Sequence, residues 1–417
     1  MKKTGMSGWK GPQMGRRGFV AAAAAAAAGA LFAPALVRAQ GASVKVSVGR
    51  QPWAAGNSPI TQKMMNDGLF EAAAKELGVD LTVDWRDYPS ALPQVEAFLA
   101  GDLDIGMWGN TPIVRLLSQE QPLNVLTLGE GHMRFVLTVP KDSPIRTIDD
   151  LKGKTVGALV GGDPANALSQ MLALELGDAD PKAHGITVVN TPTQAQAASV
   201  PTGMDASIAG YPAFLKAQAE IGVKGIMNSF GYTEDGYSGP AGDGAGHLLP
   251  GVKKSAFYPD GYYLHRSFWI CTDDIVGENA AVGQAFLIAS QRAVVALKAE
   301  APEAVSDLAK KYWELSPELG AKIVADEVLI QRGWAWPTEG DAAAIRQISD
   351  YMVAGKLIPA PLSDEQVKGA FARAAPIAEK AYAAAGSLPP DADFTDPAAT
   401  DLRGLPVWKM DGWKPAG

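Results

Sequence analysis

The side chains able to do chemistry in this chain are few and scattered. His132, His184, His247 and His265 stand far apart, with none of the short spacings that bring imidazoles onto one metal ion. Cys271 is the only cysteine, which excludes a disulfide framework and a cysteine-based metal site. Inside Phe268-Trp269-Ile270-Cys271 it reads as a small buried apolar residue. Gly161-Gly162 is not followed by the Gly-Lys-Ser/Thr of a phosphate loop. Carboxylates are plentiful, but no catalytic pair separates itself from solvated surface charge. No cofactor and no catalytic residue are expected.

What recurs is a device suited to binding. A strand ends, a short loop follows, and a helix opens with a residue–proline pair: Ser58-Pro59, Thr111-Pro112, Asp163-Pro164 and, as a variant, Tyr211-Pro212. Ser, Thr and Asp are good N-caps, and Pro suits the first helical position because its missing N–H would be unpaired there anyway. In open α/β sheets, ligands bind in the crevice at the carboxyl ends of the strands. Free N–H groups at helix starts favour an anionic or strongly accepting group, each worth about 0.3–1 kcal/mol when exposed and up to ~2 when partly buried. Any single pair reads equally as an ordinary cap. Recurrence on both halves of the chain carries the binding reading.

These pairs need a scaffold, and from Val44 onward short strand patterns alternate with amphipathic helices, as in an α/β domain. Val44, Val46 and Val48 give the first strand, and one helix is expected from Pro59 to Leu77, closed by Gly78. Strands follow at Leu81–Trp85, Leu103–Met107, Leu123–Leu128, Phe135–Val139, Thr155–Leu159, Ile186–Val189 and Asp205–Ile208. Residues 228–262, rich in Gly, Tyr and Asp, have little periodicity and suggest a lid. Beyond Cys271 the chain reads as nearly all helix to about Ala385, and 386–417 as an extended tail.

The chain has 417 residues, 47% of them hydrophobic and 20% charged, enough for two domains with their own cores. Residues 1–39 combine a basic stretch ending in Arg16-Arg17, an apolar run from Ala21 to Phe32 and small residues before Gln40. That is the pattern of a cleavable export signal of twin-arginine type. The remainder carries 31 basic against 45 acidic residues, a net charge of −14, which gives nucleic acid no basic surface to bind. No cysteine stands near the cleavage point, so no lipid anchor is expected. The predicted product is a monomer in the periplasm, delivered there by the export machinery.

Several stretches resemble a known family. Asp67-Gly68-Leu69-Phe70-Glu71, Val83-Asp84-Trp85-Arg86-Asp87-Tyr88-Pro89-Ser90, Gly101-Asp102-Leu103-Asp104-Ile105-Gly106, Val139-Pro140-Lys141-Asp142-Ser143-Pro144 and Asp149-Asp150-Leu151-Lys152-Gly153-Lys154 are similar to segments of the periplasmic binding proteins of nitrate, taurine and alkanesulfonate importers, a group also similar to thiamine-pyrimidine-precursor binders. The resemblance spans Val44 to about Ala385. It implies a type II periplasmic-binding fold, with two α/β lobes and a ligand cleft at a double-crossover hinge near 131–134 and 255–265. Lobe I would comprise 40–134 and 255–385, and lobe II 135–254.

The resemblance also implies ligand contacts at Gln51, Trp53, Pro89, Ser90, Trp108, Asn110, Thr111, His132, Arg134, Gly162, Asp163, Ala165 and Tyr211. The implied function is capture of a small organic anion (sulfonate, nitrate or aromatic carboxylate) and its delivery to an ABC-type permease. Asp163 departs from a sulfonate site, because its charge would repel a sulfonate unless it only caps its helix. An aromatic acid or a heterocycle would suit stacking on Trp and Tyr. The alternatives are a sensor's ligand-binding module, a pyrimidine-precursor binder and a related enzyme.

Overall fold

The computed structural model describes residues 43–54, 58–130, 133, 135–228, 231–232, 265–301, 304, 310–324 and 339–385. The export segment, His132, Arg134, most of 228–262 and the 386–417 tail lie outside them.

Eleven strands occur among the described residues: β1 (Val44–Arg50), β2 (Leu81–Asp87), β3 (Ile105–Gly109), β4 (Asn124–Glu130), β5 (Phe135–Val139), β6 (Thr155–Ala158), β7 (Thr187–Asn190), β8 (Ala206–Gly210), β9 (Lys224–Asn228), β10 (Gly231–Tyr232) and β11 (Ser267–Cys271). They form two mixed sheets, ordered β2-β1-β3-β11-β4 and β10-β9-β5-β8-β6-β7. The chain passes between the sheets from β4 to β5 and returns before β11. Where the two passages meet, the Met133 N–H donates to the His265 carbonyl at 3.1 Å.

The helices are α1 (Ser58–Asn66), α2 (Leu69–Glu76), α3 (Ala91–Leu99), α4 (Asn110–Ser118), α5 (Asp163–Leu176), α6 (Gln194–Ser199), α7 (Ala213–Ile221), α8 (Asp273–Val276), α9 (Ala280–Ala299), α10 (Pro317–Ile323), α11 (Glu339–Ala354), α12 (Asp364–Ala372) and α13 (Ala375–Ala385). The single helix expected from Pro59 to Leu77 is instead two. Gly68 sits at φ +60°, a left-handed conformation that ends one helix and starts another.

Alternation along β3 and β11 divides the first lobe's core. Ile105, Met107, Trp269 and Cys271 join one apolar cluster. Trp108, Phe268 and Ile270 project into another, under α3, α4 and α11. Phe286 of α9 anchors the first cluster, edge-on to Phe70 at 5.4 Å and to Trp269 at 4.9 Å between ring centroids. Helix α9 is long and apolar enough to cross a membrane, yet two thirds of that stretch is buried, as expected of a core helix. Burial also pushes the Cys271 thiol well above its ordinary range. The second lobe closes its own core around Leu137, Leu168, Met171 and Ile208.

Two outcomes follow. Phe286→Ala should cost about 3–5 kcal/mol in chemical denaturation, because Phe70 and Trp269 lose their common contact. Asp180 has its carboxyl held below the usual carboxylate range, first by the Lys356 ammonium and then by the Lys182 N–H. Its contribution is full above about pH 4 and is lost as pH falls through the lowered value. Asp180→Asn should therefore be less stable at neutral pH, by no more than ~1 kcal/mol given the exposed lysine. The difference should shrink in denaturation curves as pH falls through the lowered value of the Asp180 carboxyl and disappear below it.

Candidate functional site

The loops after β1, β2 and β8 and the start of α6 converge on one cavity of about 350 Å³, walled by Trp53, Pro89, Thr193, Gln194, Pro212, Lys216, Tyr312, Trp313 and Glu314. Trp53 and Pro89 follow strands of the first sheet, whereas Thr193, Gln194, Pro212 and Lys216 follow strands of the second. The segment 312–314 joins them. Trp313 donates its indole N–H to the Pro52 carbonyl at 3.1 Å, Tyr312 stands edge-on to Trp53 at 5.5 Å, and Glu314 pairs with Lys216.

Behind this wall Arg50 is fully engaged. Its guanidinium bonds Asp87 Oδ1 at 2.5 Å, Gln62 at 3.0 Å and the Tyr312 hydroxyl at 2.7 Å. It is a salt-bridge residue that holds the loop after β1.

The residue–proline pairs do a different job from the one expected. Helix α4 starts after Gly109 and α5 after Gly162, and neither cap is made by a side chain. Asp163 does not cap its own helix. Its Oδ1 accepts from the Thr111 N–H at 3.0 Å and from the Thr111 hydroxyl at 2.8 Å. A carboxylate of one lobe thus fills the helix start of the other, the place where a ligand anion was expected. Gly109 makes the room: a Cβ there would lie 1.7 Å from Asp163 Oδ2. His265, at the chain's return crossing, has Nδ1 at 3.8 Å from Asp163 Oδ1 and Nε2 at 3.0 Å from Gln170 Oε1.

Of the residues singled out by resemblance, Trp53 and Pro89 line the cavity, and Tyr211 is buried next to Pro212 of its wall. Asn110, Thr111 and Asp163 meet in the buried contact between lobes. Gln51 spends its amide on the Met107 carbonyl at 2.5 Å. Ser90 starts α3 and is buried. Trp108 belongs to the first lobe's core, edge-on to Phe98 at 5.3 Å and fully buried. The period-two alternation of β3 turns it away from the crevice. Gly162 packs against Leu159, and Ala165 faces a second cavity of about 560 Å³ beside Lys356. His132 and Arg134 lie outside the described residues.

Sequence reasoning missed Asn166, Gln170 and His265 in the interlobe contact, and Lys216 with Tyr312–Glu314 at the cavity. The first two had a signal: with Asp163 they place polar residues at i, i+3 and i+7 of a core helix. Tyr312–Glu314 had none, being some 260 residues from the loop it completes.

Two open α/β sheets joined by paired crossings, with a cavity at the strands' carboxyl ends, make a periplasmic-binding fold. A family model described as NMT1/THI5 like matches residues 75–304, more than half of the chain, and the protein belongs to that family. The alkanesulfonate-binding protein of Xanthomonas axonopodis pv. citri, solved with MOPS bound, superposes with a TM-score of 0.57 at 17% identity, over 77% of this chain and 96% of that one. For the periplasmic nitrate-binding protein of Synechocystis PCC 6803 the TM-score is 0.55 at 12% identity, over 82% and 88%. The taurine-binding periplasmic protein of Escherichia coli strain K12 is 36% identical over 83 residues, 20% of this chain and 25% of that protein. A second protein of that strain, named for aliphatic sulfonates, is 26% identical over 160 residues, 37% and 48%. The chain thus aligns with half or less of the length of these curated relatives.

Gly109→Ala should force the Asp163 carboxylate off Thr111. We expect a loss of about 1–3 kcal/mol in chemical denaturation and a larger radius of gyration by small-angle scattering. An unchanged radius would mean the lobes do not depend on this contact.

Proposed function

We propose that the protein is the extracytoplasmic solute-binding component of an ABC-type importer. It would capture a small organic solute between lobes bounded near residues 134/135 and 254/255. The observation that carries this reading is the aromatic-walled cavity to which both sheets contribute loops. Its volume of about 350 Å³ falls within the ~300–1,000 Å³ of small-molecule sites, and a few directed polar groups among apolar walls are what such sites use.

Capture would proceed by hinge closure at the Met133–His265 crossing. The Lys216–Glu314 pair would form as the lobes meet, beside the Trp53–Tyr312 contact within the first lobe. The closed form would then engage the permease, and the monomer would reach the periplasm by the twin-arginine route. The matched relatives are named for sulfonates, taurine and nitrate, so small organic anions lead the cargo panel, followed by aromatic carboxylates.

The test is a thermal-shift and calorimetric screen of the purified protein. A true cargo at a hundred times its dissociation constant adds about 2.7 kcal/mol of stability. For that cargo, Trp53→Ala should weaken binding about tenfold or more, the equivalent of ~1.4 kcal/mol, with the fold unchanged by circular dichroism. Normal binding by Trp53→Ala would remove this cavity from the capture site.

A further inference from the structure

Helix α5 presents Ala165 and Ser169, one turn apart, to the cavity of about 560 Å³. That cavity shares no wall residue with the aromatic one. Ser169 is 4% exposed, and its hydroxyl makes no hydrogen bond among the described residues. It does not use even the carbonyl four residues back, which a serine inside a helix commonly takes. Buried polar groups are normally paired, and the open side of this one is the cavity.

Both lobes build the wall. The second lobe supplies α5, Lys182 in the turn before β7, and Val188 of β7; the first supplies Gly355–Leu357, the turn that follows α11. Val160 and Leu357 line it from opposite lobes and keep 46% and 40% of their surface exposed, so apolar surface is left uncovered on both sides. Asp180, the one carboxylate of the wall, is spent on both oxygens. Its Oδ2 accepts from the Lys356 ammonium of the other lobe at 2.7 Å, and its Oδ1 from the Lys182 N–H at 3.0 Å. The Lys182 ammonium makes no ion pair among the described residues. Two lysines against one aspartate leave the wall with a surplus positive charge.

We propose that this cavity is a second small-molecule site, distinct from the capture cavity, and that its ligand is a small amphipathic carboxylate. The surplus cation selects an anion, the uncovered valine and leucine surface selects an apolar body, and the Ser169 hydroxyl supplies a donor that no neighbour uses. The volume lies within the ~300–1,000 Å³ of small-molecule sites. An occupant that touches both α5 and Leu357 bridges the lobes, and so favours the arrangement they have here over any other. The site does not depend on the capture reading, because the two cavities have no residue in common.

Hexanoate, hexanamide and hexylammonium share a tail and differ only in the head group, and they serve as probes at millimolar concentration by calorimetry and ligand-observed NMR. The wild type should bind hexanoate about fivefold or more tightly than either of the others, the range of one partly exposed charge pair. Lys182→Glu should abolish or reverse that preference, and Leu357→Asp should weaken hexanoate several-fold. Ser169→Ala should also weaken it, while the melting temperature of the free protein holds or rises because an unpaired buried hydroxyl is removed. A hydroxyl satisfied only by water would show that stability effect without the binding loss, which overturns the proposal. So does equal binding of the three probes, no binding of hexanoate to the folded protein, or a preference unmoved in Lys182→Glu. If Trp53→Ala abolishes hexanoate binding and Lys182→Glu does not, the carboxylate sits in the capture cavity and this inference falls while capture stands.

Discussion

A buried carboxylate is tolerable only where its environment replaces the water it has lost. For Asp163 that replacement comes from the opposite lobe. The Thr111 N–H and hydroxyl both donate to it, and the positive end of α4 lies behind them. The contact is possible only because position 109 has no side chain. Gly109 and Thr111, some 50 residues before Asp163, thus determine with it how closely α4 and α5 approach. Everything at the carboxyl ends of the two sheets is placed by that approach.

The second tie between the lobes is of a different kind. The Glu314–Lys216 ion pair crosses the cavity, while Trp313 and Tyr312 are held within the first lobe by the Pro52 carbonyl and the Trp53 ring. Arg50 fixes their position from behind through Asp87 and the Tyr312 hydroxyl. Most of these groups are partly exposed, so each bond contributes little alone. Their value lies in geometry, since they hold two aromatic side chains at the cavity rim.

The same division bears on selectivity. Apolar and aromatic walls accept many small bodies of suitable size and discriminate weakly between them. Discrimination falls to the buried polar groups, because a mismatch there leaves charges or hydrogen-bonding atoms unpaired.

Much of the architecture was legible in the residues. Alternating valines placed β1, the Gly-Asp-Leu-Asp stretch led into β3, and Phe135–Val139 is the strand its pattern predicts. Side-chain period and turn residues act within a few positions, so local sequence determined them. The helix break at Gly68 was missed because its apolar face continues across the break, and periodicity does not report one left-handed residue. Of the residues named by resemblance, Trp53 and Pro89 line the cavity, while Trp108, named the same way, is buried in the core by β3's alternation. What Asp163 does could not be read locally. A residue–proline pair looks like a cap, and only packing of α5 against α4 brings its carboxylate to Thr111 instead. Tyr312 and His265 reached their positions the same way, through contacts across more than 90 residues that tertiary structure alone creates. Sequence determined the elements and the kind of cleft they form, because those depend on near neighbours. Tertiary structure decided which charges face one another inside it, because that depends on how two separately built lobes meet.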